Sequence, residues 1–132
     1  MTKPKIKAFY IDPETDTAEP RMIEDSLDTF YSLLRCRTID IVTRKIGIRG
    51  RAFNIVCDDE GTFVDDPKIS AIDNLGRAML VGALLIVGPA DDDGELTSLT
   101  SGDIRLISRY VTHLSTRRHP EGWHMLTTCE YC

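Results

Sequence analysis

Near its start the chain gathers Ile6, Phe9, Tyr10 and Ile11, the β-branched and aromatic character of a first strand. Asp12-Pro13 ends it, because the proline ring fixes φ and removes a backbone donor. The polar, turn-rich stretch to Pro20 and the short group Arg21-Met22-Ile23 predict a loose hairpin with a second strand. Leu27, Phe30, Tyr31 and Leu34 then fall at i, i+3, i+4 and i+7, which predicts a helix with one buried face. Asp25 or Ser26 serves as its N-cap, with Asp28 in the first turn.

Thr38 to Ile46 is β-branched without a helical period and predicts a strand; Gly47 and Gly50 mark a bend. Ala52 to Cys57 forms the next strand, with Phe53, Ile55 and Cys57 on one face, closed by an acidic turn at Asp58-Asp59-Glu60-Gly61. Asp66 to Met79 predicts a short helix, and Leu80 to Val87 one strand buried on both faces despite Gly82. After an acidic loop, Glu95 to Leu99 returns briefly. Thr100 with Asp103 forms a capping box before a helix whose stripe is Ile104, Ile107, Val111 and Leu114. Beyond Arg118 the pattern dissolves.

These elements predict an α+β fold: a small antiparallel or mixed sheet of about five to six strands with two to three helices packed on it. Residues 1–115 make one domain and residues 116–132 a C-terminal tail. Its expected core is Leu27, Phe30, Tyr31, Leu34, Phe53, Ile55, Leu84, Ile86, Ile104, Ile107 and Val111.

At 132 residues, 42% hydrophobic and 28% charged, the chain suits one globular domain. A formal charge of −5 argues against a surface given over to nucleic acid. The longest apolar run, Ala78 to Val87, is about half of what a bilayer span needs, and no leader pattern opens the chain, so a cytoplasmic protein without a membrane partner is expected. Cys36, Cys57, Cys129 and Cys132 are then expected to stay reduced.

Two segments carry candidate chemistry. His119, His124, Cys129 and Cys132 have the spacing of a zinc knuckle read backwards, and thiolates and imidazoles are zinc's preferred ligands. The reversed order and terminal position make a metal-free tail the expectation, with no resident cofactor and zinc as the alternative. Between Arg35 and Arg51 lie six cations against one acid, and Arg44, Lys45, Arg49 and Arg51 are the candidate partner-binding residues on a strand–turn–strand face. Reversing Arg49 and Arg51 is expected to leave the fold intact. A solvated strand pair is the rival reading. Asp58 to Glu60 and Asp91 to Glu95 are acidic turns whose spacing matches no calcium loop. No P-loop or nucleophile–base motif appears, and no cleft gathering several titratable groups is expected, so a non-enzymatic role is favoured.

Ile6-Lys-Ala-Phe-Tyr-Ile-Asp-Pro13, Asn54 to Gly61, Leu80 to Gly88 and Gly94 to Leu99 together resemble an uncharacterised domain-of-unknown-function family. It occurs in bacteriophages, plasmids and other bacterial mobile elements, and the resemblance covers roughly residues 5 to 105. It implies a bacterial accessory protein and brings no catalytic residues. The expected function is binding of a host protein, such as a defence-system component. A nucleic-acid binder using the basic segment and an enzyme using the acidic-loop carboxylates are the alternatives.

Overall fold

A computed structural model describes residues 4–47, 51–60 and 66–129. It opens with the predicted hairpin, β1 (Lys5–Asp12) and β2 (Thr17–Glu24), antiparallel over all eight residue pairs. Helix α1 (Leu27–Leu34) follows, capped by the Ser26 hydroxyl, which accepts the Thr29 amide. A second hairpin pairs β3 (Ile39–Ile46) with β4 (Arg51–Asp58) in unbroken register. Then come β5 (Ile69–Ile72), β6 (Ala78–Val81), β7 (Leu84–Val87), α2 (Ser101–Arg109), β8 (Val111–Leu114) and β9 (Trp123–Thr127).

The strands form two sheets rather than the single one expected: five strands in the order β2-β1-β7-β4-β3, and four in the order β6-β5-β9-β8. With two helices the architecture is mainly β with some helix, which agrees coarsely with α+β. The five-stranded sheet is covered on both faces. Ile6, Ala8, Tyr10, Val56, Leu85 and Val87 meet Phe30 and Leu34 of α1. Phe9, Ile11, Phe53, Ile55, Leu84 and Ile86 meet Ala71 and Leu126 of the second sheet and Ile107 of α2. This central position explains why β7 is uniformly apolar and wholly buried.

Four expectations are corrected. The run from Leu80 to Val87 is divided by Gly82, whose φ of +78° turns the chain so that β6 and β7 enter different sheets. The helix expected before it is replaced by β5 and a turn, in which the Asp73 carboxylate accepts the Leu75 and Arg77 amides. The last helix stops at Arg109, and Val111 to Leu114 continue as β8 because β9 offers them an antiparallel partner. Residues beyond Arg118 include β9, which pairs parallel with β5 and antiparallel with β8 and buries Trp123, Met125 and Leu126.

The buried face of α1 is also rotated. Phe30 and Leu34 are buried and Leu33 packs against them, whereas Leu27 is 55% exposed. Leu27→Ser should therefore change stability by no more than about 0.5 kcal/mol, as read by urea denaturation. A loss of several times that amount would restore Leu27 to the core.

Candidate functional site

The residues singled out by charge do not share one face. Arg44 and Lys45 are consecutive in β3, so their side chains leave opposite sides of the sheet. The Arg44 guanidinium donates to the Thr43 carbonyl at 2.8 Å. Arg51 binds the carboxylate of Asp103, which is 3% exposed and also closes the α2 capping box with Thr100. Arg49 lies outside the described residues.

The zinc set is likewise dispersed. His119 sits between two carboxylates, with Nε2 3.1 Å from Asp66 and Nδ1 3.1 Å from Glu121. His124 instead faces Asp16, its Nδ1 2.9 Å from the carboxylate. Cys129 is disulfide-bonded, against the expectation of four reduced thiols, and in that state its sulfur is no thiolate ligand. Cys132 lies outside the described residues. Among the described residues, no group of three or more His, Cys, Asp and Glu is placed to hold a metal ion.

The Asp66 hydrogen bond raises the His119 pKa, against a smaller opposing effect of burial, and Glu121 adds to the rise. A raised pKa means that the contact is fully formed below the unfolded value of about 6.5 and is lost as pH climbs through the folded one. His119 packs edge-on to Trp123 with ring centroids 5.1 Å apart. Emission from Trp123, the chain's single tryptophan, should titrate with a midpoint above about 6.5 that drops in Asp66→Asn. An identical midpoint in that variant would detach His119 from Asp66.

Two surface depressions flank α1. A cleft of 640 Å³ at its C-terminal end is lined by Tyr31, Ser32, Arg35, Cys36, Arg37, Asp58 and Glu60. It gathers titratable groups that the sequence reading expects nowhere. Burial and then the Asp58 charge push the Cys36 thiol up, which keeps it protonated and weakly nucleophilic. Arg35 is committed to Asp12 through two hydrogen bonds of 2.9 Å.

The second depression, of 430 Å³, runs between β2 and α1. Its walls are Arg21, Met22, Ile23 and Glu24 on the strand and Asp28, Thr29, Ser32 and Leu33 on the helix. β2 is an edge strand, and among the described residues no strand pairs with its outer side. Met22 and Leu27, each 55% exposed, stand at this groove and beside it. Asp28 puts an acid on its helix wall, and Glu24 puts one on the other face of the strand wall. Arg21 is turned to Glu19 at 3.1 Å and lies over the Tyr10 ring at 4.7 Å. Periodicity places Leu27 in the core; only the helix's rotation on the sheet reveals it as surface.

No helix is long and apolar enough to cross a membrane among the described residues. No curated protein and no solved structure matches the chain. A family model, described as a domain of unknown function (DUF3846), matches residues 6–115.

Proposed function

The chain belongs to the DUF3846 family of domains of unknown function, and we propose that it is a non-enzymatic binding protein. In this reading it is an accessory protein of a phage or other mobile element, acts in the bacterial cytoplasm and engages a host protein. The observation that carries the reading is the β2–α1 groove, with the half-exposed Met22 on its strand wall and the equally exposed Leu27 just outside it at the start of α1. Large apolar side chains at a concave, polar-rimmed surface mark contact sites for other proteins. The basic segment gives less support to nucleic-acid binding, because Lys45 lies on the other face from Arg44 and Arg51, and Arg51 is neutralised by Asp103. The carboxylates proposed for an enzyme are held in turns: Asp58 accepts the Glu60 amide, and Asp91 the amides of Asp93 and Glu95.

Affinity capture from a bacterial lysate tests this, with the parent and a Met22→Asp, Leu27→Asp double variant side by side. The parent should retain a host protein in stoichiometric amount and the folded variant should not. Equal retention by both would remove the groove from the function. Retention of nucleic acid, with affinity falling steeply as salt rises, would favour the basic-segment reading.

A further inference from the structure

The backbone of β2 gives the groove a specific capacity. The Asp25 amide donates to the Pro4 carbonyl, which fixes the hydrogen-bonded pairs of the β1–β2 ladder at every second residue. Arg21 and Ile23 therefore turn their backbone groups inward to β1, while Pro20, Met22 and Glu24 turn theirs outward. Pro20 has no N–H and stops further pairing toward the hairpin turn. At the other end the Glu24 carbonyl already accepts from Ser26. Between these limits lie the Met22 N–H and C=O and the Glu24 N–H, along the strand wall of the groove.

The opposite edge of the same sheet is partly capped. In β3 the Thr38 carbonyl accepts from Asp59 of the neighbouring chain segment, so Ile41, Thr43 and Lys45 face outward. Each has one of its two backbone groups taken: the Ile41 amide by the Asp40 carboxylate, the Thr43 carbonyl by Arg44, and the Lys45 carbonyl by the Cys129 amide. Such self-capping blocks strand addition. β2 lacks it at Met22.

We propose that the outer edge of β2 at Met22 and Glu24 takes an extended, basic segment of a partner protein as an added strand, seated against α1. The proposal rests on the protein-binding reading above and names the mode and the ligand chemistry. Strand addition supplies sequence-independent hydrogen bonds, and alternate side chains of the added strand point at the helix wall. There they meet Thr29 and Leu33 with Asp28 at the rim, while the side chains of the added strand on its other face lie beside Glu24. An acid beside each face of the added strand, Asp28 and Glu24, against one arginine already paired with Glu19, selects lysine or arginine in the incoming segment.

The test uses the full chain and a fluorescein-labelled seven-residue peptide alternating valine and lysine, with a valine–glutamate peptide as comparison. The valine–lysine peptide should bind saturably and slow amide exchange at Met22, and the acidic one should bind at least about tenfold more weakly. Met22→Pro removes only an outward N–H, as Pro20 already does, so the fold should persist. It should weaken the valine–lysine peptide about tenfold, the worth of one to two hydrogen bonds. Met22→Ala keeps the N–H and should bind within about threefold of the parent. Unchanged affinity in Met22→Pro, or exchange protection elsewhere than at Met22, overturns strand addition. If lysate capture still depends on Met22 and Leu27, only the mode fails; if capture is also independent of them, the binding role of the groove fails with it.

Discussion

Arg35→Ala should destabilise the protein by about 3–5 kcal/mol, and the deficit should shrink in acid. Asp12 is 2% exposed, and its carboxylate accepts the Glu14 amide, the Thr15 hydroxyl and both guanidinium bonds of Arg35. The Tyr10 hydroxyl donates to the Leu33 carbonyl at 2.8 Å, tying the same corner to the end of α1. Arg35 is itself half exposed, so the charge attraction is screened. The larger penalty comes from leaving a buried carboxylate without its counter-ion.

Burial pushes the Asp12 carboxyl up, but the Arg35 hydrogen bonds, the Glu14 amide, the Arg35 charge and Thr15 together hold it below its usual value. A depressed folded pKa gives stability that is present above about pH 3.9 and is lost as pH falls through the lower value. Without Arg35, burial dominates and protonated Asp12 becomes the better-tolerated form. Urea denaturation at pH 7 and pH 3 therefore separates the explanations. Arg35 also holds φ of +52°, a left-handed conformation unfavourable to side chains. Arg35→Gly relieves that conformation while removing the ion pair. A glycine variant as stable as the parent at pH 7 would show that the pair is worth no more than the strain it offsets, about 1–2 kcal/mol.

Arg51→Glu should likewise destabilise by about 3–5 kcal/mol, while Lys45→Glu stays within about 0.5 kcal/mol of the parent. Asp103 lies at the start of α2, 3% exposed, with one oxygen accepting the Thr100 amide and the other bound to Arg51. Reversing Arg51 sets a second negative charge against a buried one and pulls α2 away from β4. Lys45 is exposed and its side chain lies on the other face of the strand pair from Arg51. Paired denaturation curves check this, and a mild effect at Arg51 would return it to the list of free surface cations. The expectation that reversal at Arg51 spares the fold thus does not survive the position of Asp103.

The first half of the fold was readable because each element carried its own local signal. Residues 5–58 alternate or repeat with periods that match β1, β2, α1, β3 and β4. The second half was harder because tertiary contacts decide it. Leu80 to Val87 looks uniform, yet a single positive-φ glycine sends its halves to different sheets. Val111 continues the stripe of Ile104 and Ile107, and a stripe three or four residues on reads equally as helix until β9 offers a pairing partner. Trp123, Met125 and Leu126 lie among polar neighbours, so their burial was invisible without β5. As for the site, local charge density indicated arginines, but charge density does not distinguish an arginine that meets solvent from one that answers a buried acid. The groove left a different trace: an apolar Leu27 at the first helical position, beside an edge strand interrupted by Pro20.

The parallel pairing of β5 with β9 joins Ala71 to Leu126 across more than fifty intervening residues, and this sets an order of events during synthesis. The five-stranded sheet has all its strands once Val87 has emerged from the ribosome. At that moment β5 has only β6 beside it, and the sheet face carrying Phe53, Ile55 and Ile86 is uncovered. Ile107 of α2 covers part of it next, but the cover is complete only when Leu126 arrives, because β8 reaches the second sheet only through β9. Distant pairing of this kind slows folding and leaves sticky intermediates open to chaperones or to aggregation. A nascent chain halted between α2 and β9 is thus the species most exposed to capture, and the protein's yield in a cell depends on how quickly translation carries it past that window.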